Sequence, residues 1–235
     1  MRILVTNDDG IEAPGLAALE LVCRQWGEVL TIAPDRHLSG CSHQATTDRP
    51  LRLSEMAPRR YALDGTPVDC VRVGLSHHAP DIDLVVSGIN DGGNLGSDVF
   101  ISGTVAAARE AALLGKNGVA ISRYRRTRGT IDWAVAAEWT RRVLKVILAE
   151  PPRPRTFWNV NLPDPIDHAH IPKIARCAVD PHALPVRYDA SDAGLHYGGV
   201  YKDRRRETGH DVDVCFNGDI AVSRIKLDLL VHSDE

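Results

Sequence analysis

The first sixteen residues constrain the fold more than any other segment of the chain. Residues 1–6 (MRILVT) form a short apolar run, residues 7–10 (NDDG) are typical turn formers, and a helical spacing of apolar residues begins at Leu16. A strand that passes through a turn into a helix is the first unit of a parallel α/β sheet. Such sheets bind ligands beyond the carboxyl ends of their strands, where this turn lies.

The same alternation continues along the chain. Strands are predicted at residues 28–33, 83–87, 118–122 and 157–162, and helices at 16–26, 104–114 and 132–150. After about residue 165, short β-like pieces at 196–201 and 220–227 alternate with segments rich in Pro, Gly and Asp. We therefore predict an α/β core over residues 1–165 and a β-rich, hairpin-bearing extension over residues 166–235. The extension either packs on another subunit or caps the sheet.

Composition excludes several classes of protein. The 235 residues carry a net charge of −3, which gives no general attraction to nucleic acid or to anionic membranes. The five cysteines are scattered without a C-x-x-C pair, which favours reduced thiols over disulfides or a zinc cage. We find no signal-peptide pattern and no run of eighteen apolar residues. The expectation is a soluble cytoplasmic protein.

Asp8 and Asp9 form an acidic pair at the predicted end of the first strand. Two adjacent carboxylates repel each other unless a cation lies between them, and such hard oxygen ligands suit Mg²⁺, Mn²⁺ or Ca²⁺ better than zinc. A solvated acidic turn is the alternative interpretation, because Asn, Asp and Gly are common in turns.

Two further segments follow predicted strands and should reach the same edge of the sheet. The loop after the second strand carries Asp35, Ser39, Ser42 and His43. The glycine-rich segment after residues 83–87 carries Asn90, Asp91, Asn94, Asp98, Ser102, Gly103 and Thr104. Ser39 and Asn94 are neutral oxygen donors that could complete a metal shell begun by two carboxylates, whereas Asn90 and His43 could contact a phosphate. Each of these four residues could equally be an ordinary loop residue.

The glycine-rich segment lacks both the G-x-G dinucleotide fingerprint and the Walker lysine motif. Instead, Ser102, Gly103 and Thr104 stand directly before an alanine-rich helix, whose free N–H groups and partial positive charge favour a phosphate. Ser102 could equally serve as the helix cap, and the two roles are compatible. The run of arginines at residues 204–206 is predicted to be a solvated turn, with phosphate contact as the less favoured alternative.

Five motifs together resemble the SurE family, the survival-protein-E nucleotidases. They are residues 3–16 (ILVTNDDGIEAPGL), 33–42 (APDRHLSGCS), 65–71 (GTPVDCV), 87–110 (SGINDGGNLGSDVFISGTVAAARE) and 159–163 (NVNLP). The resemblance covers most of the first 125 residues. It departs from the family pattern at Ile101, where a tyrosine is usual, at Ala111, where a glycine is common, and at His37 and Leu38. None of these departures removes an expected metal ligand.

The resemblance implies a Rossmann-like, mostly parallel sheet and a phosphatase that hydrolyses nucleoside 5′- and 3′-monophosphates. It implies one Mg²⁺ or Mn²⁺ per subunit, and a homodimer or homotetramer that exchanges C-terminal elements. The family's metal ligands fall on Asp8, Asp9, Ser39 and Asn94, of which Asp8 and Asp9 are also the expected catalytic residues. Its phosphate-binding positions fall on Asn90, Ser102, Gly103 and Thr104, and we add Ser42 to this substrate-binding set. Whether Asp8 is a nucleophile, a base or only a ligand stays open at this point.

Three alternatives to a nucleotidase differ in what they require. A phospho-receiver domain needs an acceptor aspartate after the strand at 83–87, where this chain has Ser87 and Gly88. A nucleotide-binding module without enzymatic activity would gain nothing from an acidic pair. A phosphatase acting on polyphosphate or on other small phosphomonoesters would share the entire core, and only its substrates would distinguish it.

Overall fold

A computed structural model describes residues 1–127, 129–164 and 170–228 of the chain. The strands are β1 (Arg2–Thr6), β2 (Glu28–Pro34), β3 (Leu53–Ala57), β4 (Arg60–Leu63), β5 (Leu84–Asp91), β6 (Asn117–Arg123), β7 (Thr156–Leu162), β8 (Ile174–Arg176), β9 (Tyr188–Ser191), β10 (Gly194–Tyr197) and β11 (Ile220–Lys226). The helices are α1 (Pro14–Cys23), α2 (Pro67–Val73), α3 (Gly103–Leu113), α4 (Trp133–Ile147) and α5 (Asp211–Phe216). The ends of α1, α3 and α4 differ from those of the three predicted helices by at most three residues.

Nine strands form one sheet in the order β3-β4-β2-β1-β5-β6-β7-β11-β8. The six strands from β4 to β7 in this order are parallel, whereas β3 and β11 run antiparallel to their neighbours β4 and β7. Strands β9 and β10 form a separate antiparallel hairpin. The predicted α/β class with a mostly parallel sheet is therefore confirmed.

Helices cover both faces of the sheet because alternate strand residues point to opposite sides. Ile3 and Val5 of β1 belong to the apolar cluster that contains α1 and α4. Leu4, between them, belongs to the cluster that contains α2 and part of α3. The central strands are buried on both faces, as expected for parallel strands between helical layers.

Strand β5 is longer than predicted, and this moves two candidate residues from a loop into a strand. The prediction ended the strand at Ser87 because a glycine follows. Gly88 instead continues the strand with a φ of +136°, and a Cβ atom there would lie 2.2 Å from the carbonyl oxygen of Ile121 in β6. A residue without a side chain therefore keeps β5 beside β6, with a register shift between Ser87 and Asn90. Asn90 and Asp91 are the last residues of the strand.

The C-terminal segment contributes to the main sheet. Strand β11 pairs antiparallel with β7, and β8 pairs in parallel with β11. The predicted boundary between residues 165 and 166 falls in residues 165–169, outside the described residues, as do Arg128 and residues 229–235. The sequence patterns missed β3, β4, β8, β9, α2 and α5, which are all short. All five cysteines are free thiols, and no helix in the described ranges is long and apolar enough to cross a membrane.

Candidate active site

A cavity of about 280 Å³ lies beyond the carboxyl ends of β1 and β5, and it brings five of the predicted residues together. Among its lining residues are Asp8, Ser39, Asn90, Asn94 and Ser102. Gly40, Gly93, Asp98, Ile101, Leu184 and Tyr201 complete the wall. We call this space the catalytic cavity. One side of it is polar, whereas Ile101 and Leu184 add apolar surface.

Asp8 is buried in this cavity and is held by the start of α3. The hydroxyl of Thr104 donates a hydrogen bond to Oδ1 of Asp8. Burial raises the pKa of Asp8 to about 6, and the charge of Asp9 adds to this effect, while the hydrogen bonds from Thr104 oppose it. Two effects make the negative charge of Asp8 unfavourable, its burial and the repulsion from Asp9. A cation beside Asp8 would offset both of them.

Gly103 allows α3 to approach Asp8 closely. A Cβ atom at residue 103 would lie 2.7 Å from Sγ of Cys41 and 3.1 Å from Oδ2 of Asp8. Any side chain here would push the helix start away from the carboxylate. The role predicted for Gly103 was phosphate binding, and the structure gives it the further role of bringing the positive end of α3 to Asp8.

Asp9 faces a neighbouring cavity of about 320 Å³ instead of the catalytic cavity itself. Its Oδ2 accepts a hydrogen bond of 3.0 Å from the backbone N–H of Asp91, and its Oδ1 lies 3.4 Å from Nδ1 of His37. Burial raises the pKa of Asp9, although the N–H of Asp91 and the ring of His37 act against this rise. The two acids therefore stand on either side of the strand end.

Asn94 is buried and fixed by neighbouring polar groups. Its Nδ2 donates a 2.7 Å hydrogen bond to Ser122, and its backbone carbonyl accepts bonds from the side chains of Asn159 and Asn161. The side-chain oxygen of Asn94 accepts no hydrogen bond from the described residues. Ser39 is exposed and contributes a hydroxyl to the same cavity.

The remaining predicted substrate-binding residues have other partners. Ser102 caps α3 by accepting a 3.1 Å hydrogen bond from the N–H of Val105, and it also lines the cavity, so both predicted roles are compatible with its position. The amide of Asn90 donates to the carbonyl of Gly92 at 2.8 Å. Ser42 is not among the lining residues of the cavity, and its hydroxyl donates a 2.9 Å hydrogen bond to the carbonyl of Phe100.

His43 is tied to α3 instead of facing the catalytic cavity. Its Nε2 lies 2.8 Å from a carboxylate oxygen of Glu110, and Nε of Arg109 donates to its Nδ1 at 2.9 Å. This pair of contacts links the loop that carries Ser39 to the helix that begins beside Asp8. The side chain is therefore placed to hold the loop, and its contact with a phosphate stays a prediction.

Two residues of the cavity region were missed by the sequence patterns. Tyr201 lines the cavity and donates a 2.6 Å hydrogen bond to Asp98, and Arg204 forms a buried ion pair of 2.9 Å with the same carboxylate. The prediction of a solvated turn is wrong for Arg204, although Arg205 and Arg206 are exposed. The partners are more than 100 residues apart in the chain, so no local pattern could have indicated their contact.

The donor set at Asp8 fits a hard divalent cation. In the described ranges, no three or more His, Cys, Asp and Glu side chains form a group that could hold a metal ion. A cation at Asp8 would therefore need neutral oxygen ligands as well as carboxylates. Asn94 and Ser39 provide an amide oxygen and a hydroxyl in the same cavity. Asp9 is next to Asp8 in the chain but faces the neighbouring cavity. An all-oxygen set of this kind suits Mg²⁺ or Mn²⁺.

Comparisons with known proteins agree with the fold and with the motifs. The family model described as survival protein SurE matches residues 3–182. A protein of Nostoc sp. is 45% identical over 97% of this chain and 100% of its own length. The 5′-nucleotidase SurE of Vibrio cholerae is 37% identical over 99% of this chain and 94% of its own length. The SurE protein from Aquifex aeolicus superposes with a TM-score of 0.84 at 33% identity, over 98% of this chain and 95% of that one. Because these matches extend along most or nearly all of the chain, the protein belongs to the SurE family.

Proposed function

We propose that this protein is a metal-dependent nucleotidase that hydrolyses nucleoside 5′- and 3′-monophosphates to a nucleoside and phosphate. The observation that carries the proposal is the catalytic cavity, where a buried carboxylate, an amide oxygen, a hydroxyl and the start of a helix meet. Relatives of this chain bear the name 5′-nucleotidase SurE, which supports the choice of nucleotides as substrates.

In the proposed site, Asp8, Ser39 and Asn94 hold one Mg²⁺ or Mn²⁺ from the catalytic cavity, and Asp9 completes the set from the other side of the strand end. When bound, such an ion supplies a Lewis acid that polarises a phosphoryl oxygen and lowers the pKa of a bound water. The fit rests on the oxygen donors and on the raised pKa of Asp8, whose charge a cation would stabilise.

The protein's own groups would bind and orient the phosphate. The first turn of α3, with Ser102, Gly103 and Thr104, offers a partial positive charge that favours the phosphoryl oxygens as their charge shifts during reaction. Asn90 adds a polar side chain to the same wall. Thr104 keeps the Asp8 carboxylate oriented, so that Asp8 can accept a hydrogen bond from the attacking water. Asp8 and Asp9 are therefore the proposed catalytic pair.

The proposed function is tested by measuring phosphate release from a panel of substrates with added Mg²⁺, with added Mn²⁺ and with a chelator. We expect turnover of nucleoside 5′- and 3′-monophosphates, lost in the chelator. Activity that persists after chelation would contradict the metal dependence. A rate that is highest on polyphosphate or on sugar phosphates would instead support the second candidate, a phosphatase of other small phosphomonoesters, which uses the same cavity.

We also propose that the protein is a homodimer or homotetramer assembled through its C-terminal segment. The β9–β10 hairpin supports this, because Tyr188, Leu195 and Tyr197 expose apolar surface on it, as do Val186 and Val200 beside it. A second copy of the same chain is the proposed partner of this surface. The Leu195→Glu variant is expected to sediment as a smaller species than the wild type, whereas Met56→Glu, at another exposed apolar residue, is expected to leave the assembly unchanged. An unchanged mass for Leu195→Glu would contradict the assignment of the hairpin.

A further inference from the structure

The cavity beside Asp9 and the catalytic cavity are both lined by residues from the same three segments of the chain. Three segments each place one residue in the catalytic cavity and a residue one or two positions away in the neighbouring cavity. They are Asp8 and Asp9 after β1, Ser39 and His37 in the loop after β2, and Asn90 and Asp91 at the end of β5. The two spaces therefore lie at the same edge of the sheet, on either side of these strand ends.

An indole forms one wall of this second cavity. Ala13, Pro14 and Gly15, at the start of α1, face the same space as Trp133 at the start of α4. The Trp133 ring lies against Gly15, because a Cβ atom at residue 15 would be only 2.8 Å and 2.9 Å from two of its ring carbons. The ring is half-buried and packs against the core, which holds it in a fixed orientation. A fixed aromatic surface beside a phosphate site suits a flat aromatic group.

The charges around the second cavity disfavour a second anion. Arg125 is neutralised by Asp91, with N–O distances of 2.8 Å and 3.0 Å. Asp9 adds a further carboxylate, and the nearest counter-group to it is the ring of His37 at 3.4 Å. Because the carboxylates outnumber the guanidinium groups in this lining, a neutral ring is favoured over a second phosphate.

We propose that this second cavity binds the base of the nucleotide, stacked on Trp133, while the phosphate lies in the catalytic cavity. The proposal rests on the proposed nucleotidase function and deepens it, because it names the residue that distinguishes nucleotides from other phosphomonoesters. Trp133 is then a specificity-determining residue that contacts the leaving group, with no part in the cleavage of the P–O bond.

Steady-state kinetics of the Trp133→Ala variant on AMP and on glycerol 3-phosphate test the proposal. We expect KM for AMP to rise about tenfold to a hundredfold, the usual effect of losing one base–aromatic stack, and the kinetics on glycerol 3-phosphate to stay unchanged. Trp133→Phe should retain most of the affinity for AMP. Trp26→Ala is the matched control, because Trp26 is half-buried against the same core cluster but does not line either cavity.

A fluorescence titration keeps the proposal testable if Trp133→Ala does not fold or if the protein lacks phosphatase activity. Adenosine should quench the tryptophan fluorescence of the wild type and leave that of Trp133→Phe unchanged. Equal quenching in both proteins would overturn the proposal. An equal loss of activity on AMP and on glycerol 3-phosphate in Trp133→Ala would also overturn it, as would a loss specific to AMP in Leu184→Ala but not in Trp133→Ala. Absence of phosphate release from any substrate would contradict the proposed function, while the titration would still decide on the cavity.

Discussion

Replacing Asp8 by asparagine is expected to lower the rate of nucleotide hydrolysis by at least about a hundredfold, as the loss of one preorganised electrostatic group at a reaction centre typically does. The side chain keeps its size and its hydrogen bond from Thr104, so the loss would come from the missing charge alone. The measurement is kcat/KM for AMP with saturating Mn²⁺. Asp35→Asn is the matched control, because Asp35 is an exposed carboxylate of the loop that carries Ser39. Comparable rates for Asp8→Asn and Asp35→Asn would contradict the proposed role of Asp8.

The same variant has an expected effect on stability that shows whether it is folded. Burial raises the pKa of Asp8 from 3.8 to about 6, so the metal-free wild type loses stability as pH rises through this range. Asparagine has no charge to bury, and Asp8→Asn should therefore be more stable than the wild type above pH 6 by about 3 kcal/mol. The difference should vanish below pH 4. Denaturant unfolding in the presence of a chelator, repeated across this pH range, measures it.

Replacing Arg204 by methionine is expected to destabilise the fold by about 3–5 kcal/mol, the usual cost of removing one partner of a buried ion pair. The side chain of Arg204 is fully buried and that of Asp98 is 7% exposed, so the remaining carboxylate would be left without its counter-charge. Tyr201 would still donate to Asp98, but a neutral hydroxyl does not replace a guanidinium. Chemical denaturation of the wild type and the variant gives the difference in the free energy of unfolding.

Arg205→Met provides the control for this experiment. Arg205 is exposed and next in the chain, and surface substitutions of this kind change stability by about 0.5 kcal/mol or less. If Arg204→Met and Arg205→Met were equally stable, the contact between the C-terminal segment and the catalytic cavity would not contribute to the fold.

The core of the fold was predictable because its signals are local. The apolar run of β1, the alanine-rich α3 and the amphipathic α4 each carry their own periodicity, and parallel strands place their carboxyl ends at one edge. This topology alone was enough to expect Asp8, Ser39 and Asn94 near one another. The structure places all three in one cavity.

The residues that the sequence did not indicate depend on contacts between distant parts of the chain. A run of three arginines is typical of an exposed turn, and only the fold brings Arg204 to Asp98. Ser42 and His43 lie in the same loop as Ser39, yet their side chains contact Phe100 and Glu110. The orientation of Asp9 toward the cavity that Trp133 and Arg125 line is likewise set by contacts between distant parts of the chain.

Equilibrium binding of Mn²⁺ to the purified protein shows whether Asp8 and its neighbours hold one divalent cation. We expect one Mn²⁺ per chain in the wild type, with binding lost in Asp8→Asn and weakened in Asn94→Ala, while Asp35→Asn binds as the wild type does. Binding of Mn²⁺ to Asp8→Asn with the affinity of the wild type, or no binding to the wild type, would contradict the proposed metal site.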